Sequence, residues 1–149
     1  KKVRLNKKIE KNKTIGQLLL EPTEIYVNPI LELFSKKLIK TCAHITGGGI
    51  IDNLPRSLTN NVEAEIDLNK WKVPKIFKWI QSHGINQSEM LRTFNCGYGM
   101  IVILDKAKLS KFENLMNKYK LDYDKIGVLI NSNKSKKRIQ FTGRLKFND

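Results

Sequence analysis

The chain has 149 residues and a formal net charge of +14; 40% of its residues are hydrophobic and 28% charged. That length suits one domain with a real core, and the composition excludes a disordered, fibrous or membrane-spanning class. The charge invites a nucleic-acid reading, but 23 of the 28 basic residues are lysine and only five arginine, whereas base readers and phosphate clamps favour arginine's planar fork.

Residues 1–13 are polar and basic, and we expect a linker or frayed end, with the domain proper spanning 14–149. No apolar segment or cleavage site follows the lysines, so neither a signal peptide nor a membrane partner is expected, and the expected compartment is the cytoplasm. Thr14 with Gln17 three residues on predicts a capped short helix, ended at Glu21-Pro22. Glu24–Val27 has the β-branched and aromatic content of a strand. Asn28-Pro29 then reads as a helix start, followed by Ile30, Leu31, Phe34 and Leu38 at helical spacing. Cys42–Ile45 predicts a short buried strand, leading through Thr46-Gly47-Gly48-Gly49 into a helix that Pro55 limits to about a turn.

Val62–Asp67 alternates apolar and acidic residues and predicts a strand with one wet face. Val73, Ile76, Phe77 and Ile80 mark an amphipathic helix between Pro74 and Gly84. Residues 88–94 read as a short helix or irregular approach. Met100–Leu104, apolar on both faces, predicts a central strand. A helix through Leu109, Phe112, Leu115, Met116 and Tyr119 follows, then a buried strand over Ile126–Ile130, a polar turn over 131–137 and a returning strand over Arg138–Thr142. Helices and strands without strict alternation argue for an α+β fold with a layered sheet. Cys42 and Cys96 form no disulfide or zinc pattern.

Two glycine-bearing turns sit at strand edges, Thr46–Gly49 and Asn95–Gly99. Consecutive glycines cost conformational entropy, so they are retained where the backbone turns tightly or a ligand comes close. Amides opening the following helix are unsatisfied donors at the positive end of its dipole, which suits a phosphate. A branched side chain at Gly48 is expected to leave the core intact yet fill the anion's space. Each turn has an arginine nearby in sequence, Arg56 and Arg92, able to add paired charge-assisted bonds. His44 reads more readily as a core residue than as a base, and His83 as a helix-end residue. Asp52 and Asn53 could face a ligand or cap the helix. No catalytic triad, close carboxylate pair, metal cluster or Walker A pattern stands out. The residues alone argue for a binding half-site.

Four segments, Leu20–Val27, Ala43–Gly49, Asn53–Arg56 and Arg92–Met100, occur in the order that resembles the C-terminal half of the aminoimidazole ribonucleotide synthetase (phosphoribosylformylglycinamidine cyclo-ligase) family. The likeness runs from about Thr14 to Phe141. It implies a three-layer α/β/α domain with a mixed sheet, partly ferredoxin-like. It also implies an ATP-dependent ligase step of purine biosynthesis: ATP activates the formyl oxygen of formylglycinamidine ribonucleotide, the amidine nitrogen closes the imidazole ring, and ADP and phosphate leave. Thr46, Gly47, Gly48, Gly49, Arg92, Thr93, Asn95 and Gly97 match the family pattern and are expected to hold substrate phosphate, with His44, Asn53 and Arg56 as further candidates. Family members are homodimers whose N-terminal domain supplies most of the ATP and Mg2+ site. That domain is not in this sequence, so the catalytic groups are expected mainly there, and the piece alone is expected to be inactive. A related superfamily member such as the formylglycinamidine ribonucleotide amidotransferase, or a basic nucleic-acid-binding module, remains the alternative.

Overall fold

The computed structural model describes residues 3–132 and 138–147. Helix α1 (Ile15–Leu19) opens on the expected capping box: the Thr14 hydroxyl accepts from the Gln17 amide and the Gln17 side chain accepts from the Thr14 amide. Residues 3–13 run back along it, with Gly16 N–H bonded to Leu5 O and Ile15 N–H to Lys7 O. The strand expected over Glu24–Val27 does not form. Instead α2 (Val27–Ser35) starts at Val27 without a side-chain cap, so Asn28-Pro29 lie inside its first turn. The β-branched residues there had no neighbouring strand to complete a ladder, and propensity alone does not hold an isolated strand.

Among the described residues, five strands divide between two sheets. β1 (Thr41–His44) pairs antiparallel with β3 (Met100–Ile103), with His44 opposite Met100. β2 (Val62–Asp67) is the middle of a mixed sheet, antiparallel to β4 (Gly127–Asn131) and parallel to β5 (Ile139–Thr142). The fold is thus α+β, with three corrections to the strand roles. β3 has one partner strand and is not central. β4 is an edge strand whose Val128 and Leu129 are exposed. β5 does not return as a hairpin on β4, because β2 lies between them; the polar turn expected over 131–137 falls largely outside the described residues.

β2 is drier on its acidic face than expected: Glu65 and Asp67 are partly exposed, but Glu63 is buried. Glu63 is 1% exposed; its carboxylate accepts from Ser132 Oγ at 2.7 Å and Gln140 Nε2 at 2.6 Å. The alternation of acids was read as solvent contact, but a strand covered from both sides hands that position polar partners instead of water.

The remaining helices are α3 (Gly49–Asn53), continued by a 3-10 turn at Leu54–Ser57, α4 (Lys75–Gln81), α5 (Gln87–Thr93, capped by Asn86) and α6 (Leu109–Tyr119). The larger core gathers Ala43, Ile45, Ile50, Leu54, Ile66 and Met90. A second core packs Leu33 of α2 against Phe112, Leu115 and Met116 of α6. The outer side of α2 stays bare: Val27, Leu31 and Phe34, spaced as one helical stripe, are exposed, as are Leu20 and Ile25 in the segment before it.

Glu32 ties α2 to α6. Lys118 and Tyr119 bond its Oε2 at 2.7 Å each, and Lys36 approaches Oε1 at 2.7 Å. The Lys118 bond first, then those of Lys36 and Tyr119, lower its pKa from 4.5 to about 2. A depressed carboxylate contributes stability above its unfolded pKa and loses it as pH falls through the folded one. Glu32→Gln should therefore lower the melting temperature at neutral pH, and the gap should close between about pH 4.5 and 2. Thermal melts across that range check it; a gap that persists unchanged at pH 2 refutes it.

Candidate functional site

The two glycine turns meet at one end of the β1–β3 pair. Just past His44, the Ile45 amide donates to Gly99 O at 2.8 Å, joining the start of the first turn to the end of the second. The first turn is wound tightly. Gly48 has φ 94° and Gly49 φ 56°, in the left-handed region that costs other residues energy. The Gly49 amide closes the turn on Thr46 O at 3.0 Å, so it is not a free donor. A Cβ on Gly49 would collide with the Leu91 carbonyl and lie 3.0 Å from the Arg92 carbonyl carbon. Gly49 is glycine because α3 starts against the end of α5.

Asn53, 7% exposed, acts from beneath the loop. Its Nδ2 donates to Gly49 O at 2.8 Å and Gly47 O at 3.1 Å, and reaches Thr46 O at 3.4 Å. Named from sequence as a possible ligand or cap, it holds the loop's carbonyls inward. That leaves the opposite side of the peptide units outward: the Gly47 and Gly48 amides take no hydrogen bond among the described residues. Nothing lies within 4 Å of a Cβ built on Gly47. At Gly48 a Cβ would sit 2.9 Å from Asp52 Cβ, so a branched residue there strains the loop itself, contrary to expectation. Gly47 is the open position.

The second turn is held by its own groups. Asn95 Oδ1 accepts from the Gly97 amide at 3.0 Å, and Thr93 Oγ1 donates to Glu89 at 2.6 Å. Cys96 (φ 47°) and Gly97 (φ 107°) are both left-handed. Trp71 Nε1 donates to Cys96 O at 3.0 Å, and a Cβ on Gly97 would lie 2.5 Å from Pro74 Cδ. Burial pushes the Cys96 thiol up to about 12, which marks a core thiol. Tyr98 Oη donates to Asp124 Oδ2 at 2.7 Å, and Lys72 Nζ meets Asp124 Oδ1 at 2.6 Å. Burial, then the Asp124 bond, push the Tyr98 phenol up to about 12. Burial opposes ionisation of Asp124, but the bonds from Lys72 and Tyr98 prevail and its pKa is lowered.

Arg92 is exposed at the end of α5, beside the first turn, and makes no ion pair among the described residues. Arg56 is likewise exposed, in the 3-10 turn after Asn53. His44 is exposed rather than in the core, with its ring 6.1 Å from that of Tyr26. His83 Nδ1 donates to Trp79 O at 2.8 Å, at the end of α4. Sequence reading missed Tyr26, which closes over Gly99: a Cβ there would lie 2.6 Å from the phenol oxygen. The signal was hidden because residues 24–27 were read as a strand. It also missed Tyr98 and Asp124, whose pairing spans 26 residues. Among the described residues, no three His, Cys, Asp or Glu side chains gather to hold a metal ion, and no helix is long and apolar enough to cross a membrane.

Comparison with known proteins agrees with this arrangement. The family model for AIR synthase related protein, C-terminal domain, matches residues 2–140. The chain is 54% identical over 103 residues to a phosphoribosylformylglycinamidine cyclo-ligase of Carboxydothermus hydrogenoformans, covering 68% of this chain and 30% of that protein. It is 38% identical over 135 residues to the cyclo-ligase of Lactobacillus helveticus, covering 90% of this chain and 39% of that one. It is 46% identical over 98 residues to the trifunctional purine biosynthetic protein adenosine-3 of Chironomus tentans, covering 65% of this chain and 7% of that protein. The chain thus spans well under half the length of the curated relatives it matches. Matched over residues 2–140, the chain belongs to the family of AIR synthase related proteins, as their C-terminal domain.

Proposed function

We propose that this chain is the substrate-side domain of a phosphoribosylformylglycinamidine cyclo-ligase, which closes the imidazole ring of aminoimidazole ribonucleotide at the expense of ATP in the cytoplasm. The observation that supports it most is the pair of outward-facing amides of Gly47 and Gly48, which have no hydrogen-bond partner among the described residues and lie beside the exposed Arg92 at the end of α5. In this reading Thr46, Gly47 and Gly48 receive the ribonucleotide 5′-phosphate and Arg92 neutralises it. Gly49 and Asn53 shape the loop, while Thr93, Asn95 and Gly97 build the adjoining wall. His44 and Arg56 lie at its margins. ATP and Mg2+ are, in this reading, held mostly by the N-terminal domain of a homodimeric enzyme. The bare stripe of Val27, Leu31 and Phe34 is then the surface that domain covers, in keeping with the greater length of the relatives.

The test is an NMR titration of the chain with formylglycinamidine ribonucleotide, repeated on Gly47→Val. The Gly47 and Gly48 amides should shift in the parent. The variant should fold and bind about tenfold or more weakly, since each charge-assisted bond is worth about 1.5–3 kcal/mol. Unmoved glycine amides at millimolar ligand, or equal affinity of the variant, refute the site. Joined to the N-terminal domain, the amides of Val27–Phe34 should exchange more slowly; unchanged exchange refutes the covering surface.

A further inference from the structure

Behind the second glycine turn, whose Cys96 and Gly97 meet Trp71 and Pro74, a cavity of about 810 Å³ opens at one end of the three-stranded sheet. Its walls come from the segment after β2 (Asn69–Pro74), the segment before β4 (Asp124, Lys125), Lys146 after β5, and Lys78 of α4. None of the residues assigned above to the ribonucleotide lines it. It is a shallow depression open to solvent, with a volume in the range of small-ligand clefts.

Its charge is one-sided: four lysines (Lys70, Lys72, Lys125 and Lys146) and a single acid, Asp124, line it, together with Lys78, which has a partner of its own. That acid is already engaged by Lys72 and Tyr98, at 2.6 and 2.7 Å. Lys70 has only a long contact to Asp67, at 3.6 Å, and Lys125 and Lys146 form no ion pair among the described residues. Ammonium groups gathered in a concave wall repel one another, and the wall focuses their field on whatever anion enters. Lysine also binds phosphate, as a point charge without the bidentate fork by which arginine clamps a phosphate, a carboxylate or a base edge. The one indole in the wall, Trp71, is 3% exposed and packs edge-on against Tyr98. It offers no open face for a base to stack on, which argues against single-stranded nucleic acid as the occupant.

We propose that this cavity binds an oligophosphate group of two or three phosphates, either free or as the tail of a nucleotide. Calorimetry of the 149-residue chain with inorganic tripolyphosphate at 0.15 M salt should give saturable binding at one site. Lys125→Glu and Lys146→Glu should each weaken it about tenfold, while Lys111→Glu, the same charge change on exposed α6, should leave it nearly unchanged. Lys125→Gln, with a smaller change, should fall between and guards against misfolding of the reversal. ATP that binds as tightly as tripolyphosphate assigns recognition to the phosphates, and tighter ATP binding identifies a nucleotide as the source. Non-saturating binding, equal losses in Lys111→Glu, or saturable binding of an oligoribonucleotide alone would overturn the proposal. Gly47→Val should keep the tripolyphosphate site, so this inference and the ribonucleotide site fail separately.

Discussion

Replacing Gly49 by alanine should cost the domain about 3–5 kcal/mol, the sum of an overpacked contact and a left-handed non-glycine residue. The new methyl would strike backbone: the Leu91 carbonyl oxygen, with its carbon 2.8 Å away. Backbone cannot rotate aside as a side chain can. Relief requires α3 and α5 to part, and both carry buried residues of the main core, Ile50 on one and Met90 and Leu91 on the other. Urea denaturation reads the loss directly. Gly47→Ala, where nothing lies within 4 Å, should change stability by less than about 0.5 kcal/mol. Similar stabilities for the two variants would show that the loop and α5 are not pressed together.

Asn53→Asp should be nearly as damaging, by about 3 kcal/mol or more, because it turns a shared donor into a buried anion facing carbonyl oxygens. Among the described residues, the side-chain amide is the only group that meets the Thr46, Gly47 and Gly49 carbonyls together. A carboxylate there repels all of them, so its folded pKa rises above the usual value near 3.9. A raised acid binds a proton more tightly when folded, and the variant's deficit relative to the parent should shrink as pH falls toward 4. Denaturation midpoints of both proteins between pH 7 and 4 measure the trend. A deficit constant with pH would mean that the side chain is not sealed beneath the loop.

What was legible in the sequence was mostly local. The capping box at Thr14 and Gln17, the bounds of β2 and the apolar spacing of α6 are decided within a few residues of themselves, and each appears as expected. Positions decided by distant chain were misjudged. Glu63 looked solvated because its partners, Ser132 and Gln140, lie far along the chain. Met100–Ile103 looked central because apolarity on both faces does not say whether strands or helices cover them. The same division runs through the site. Glycines and arginines announced an anion loop, whereas the close approach of Gly49 to Leu91 and the grip of Asn53 needed two helices in place before either had meaning.

The placement of β5 bears on how the domain is made. Its Gln140 bonds Glu63 across 77 residues of chain, so one side of β2 stays without its neighbour until nearly the whole domain has been synthesised. Contacts of such long range form slowly, and an open strand edge is a template for pairing with other chains. A nascent domain that has not yet reached Ile139 would expose that edge together with a carboxylate lacking its Gln140 partner, making the wait for β5 its most aggregation-prone interval.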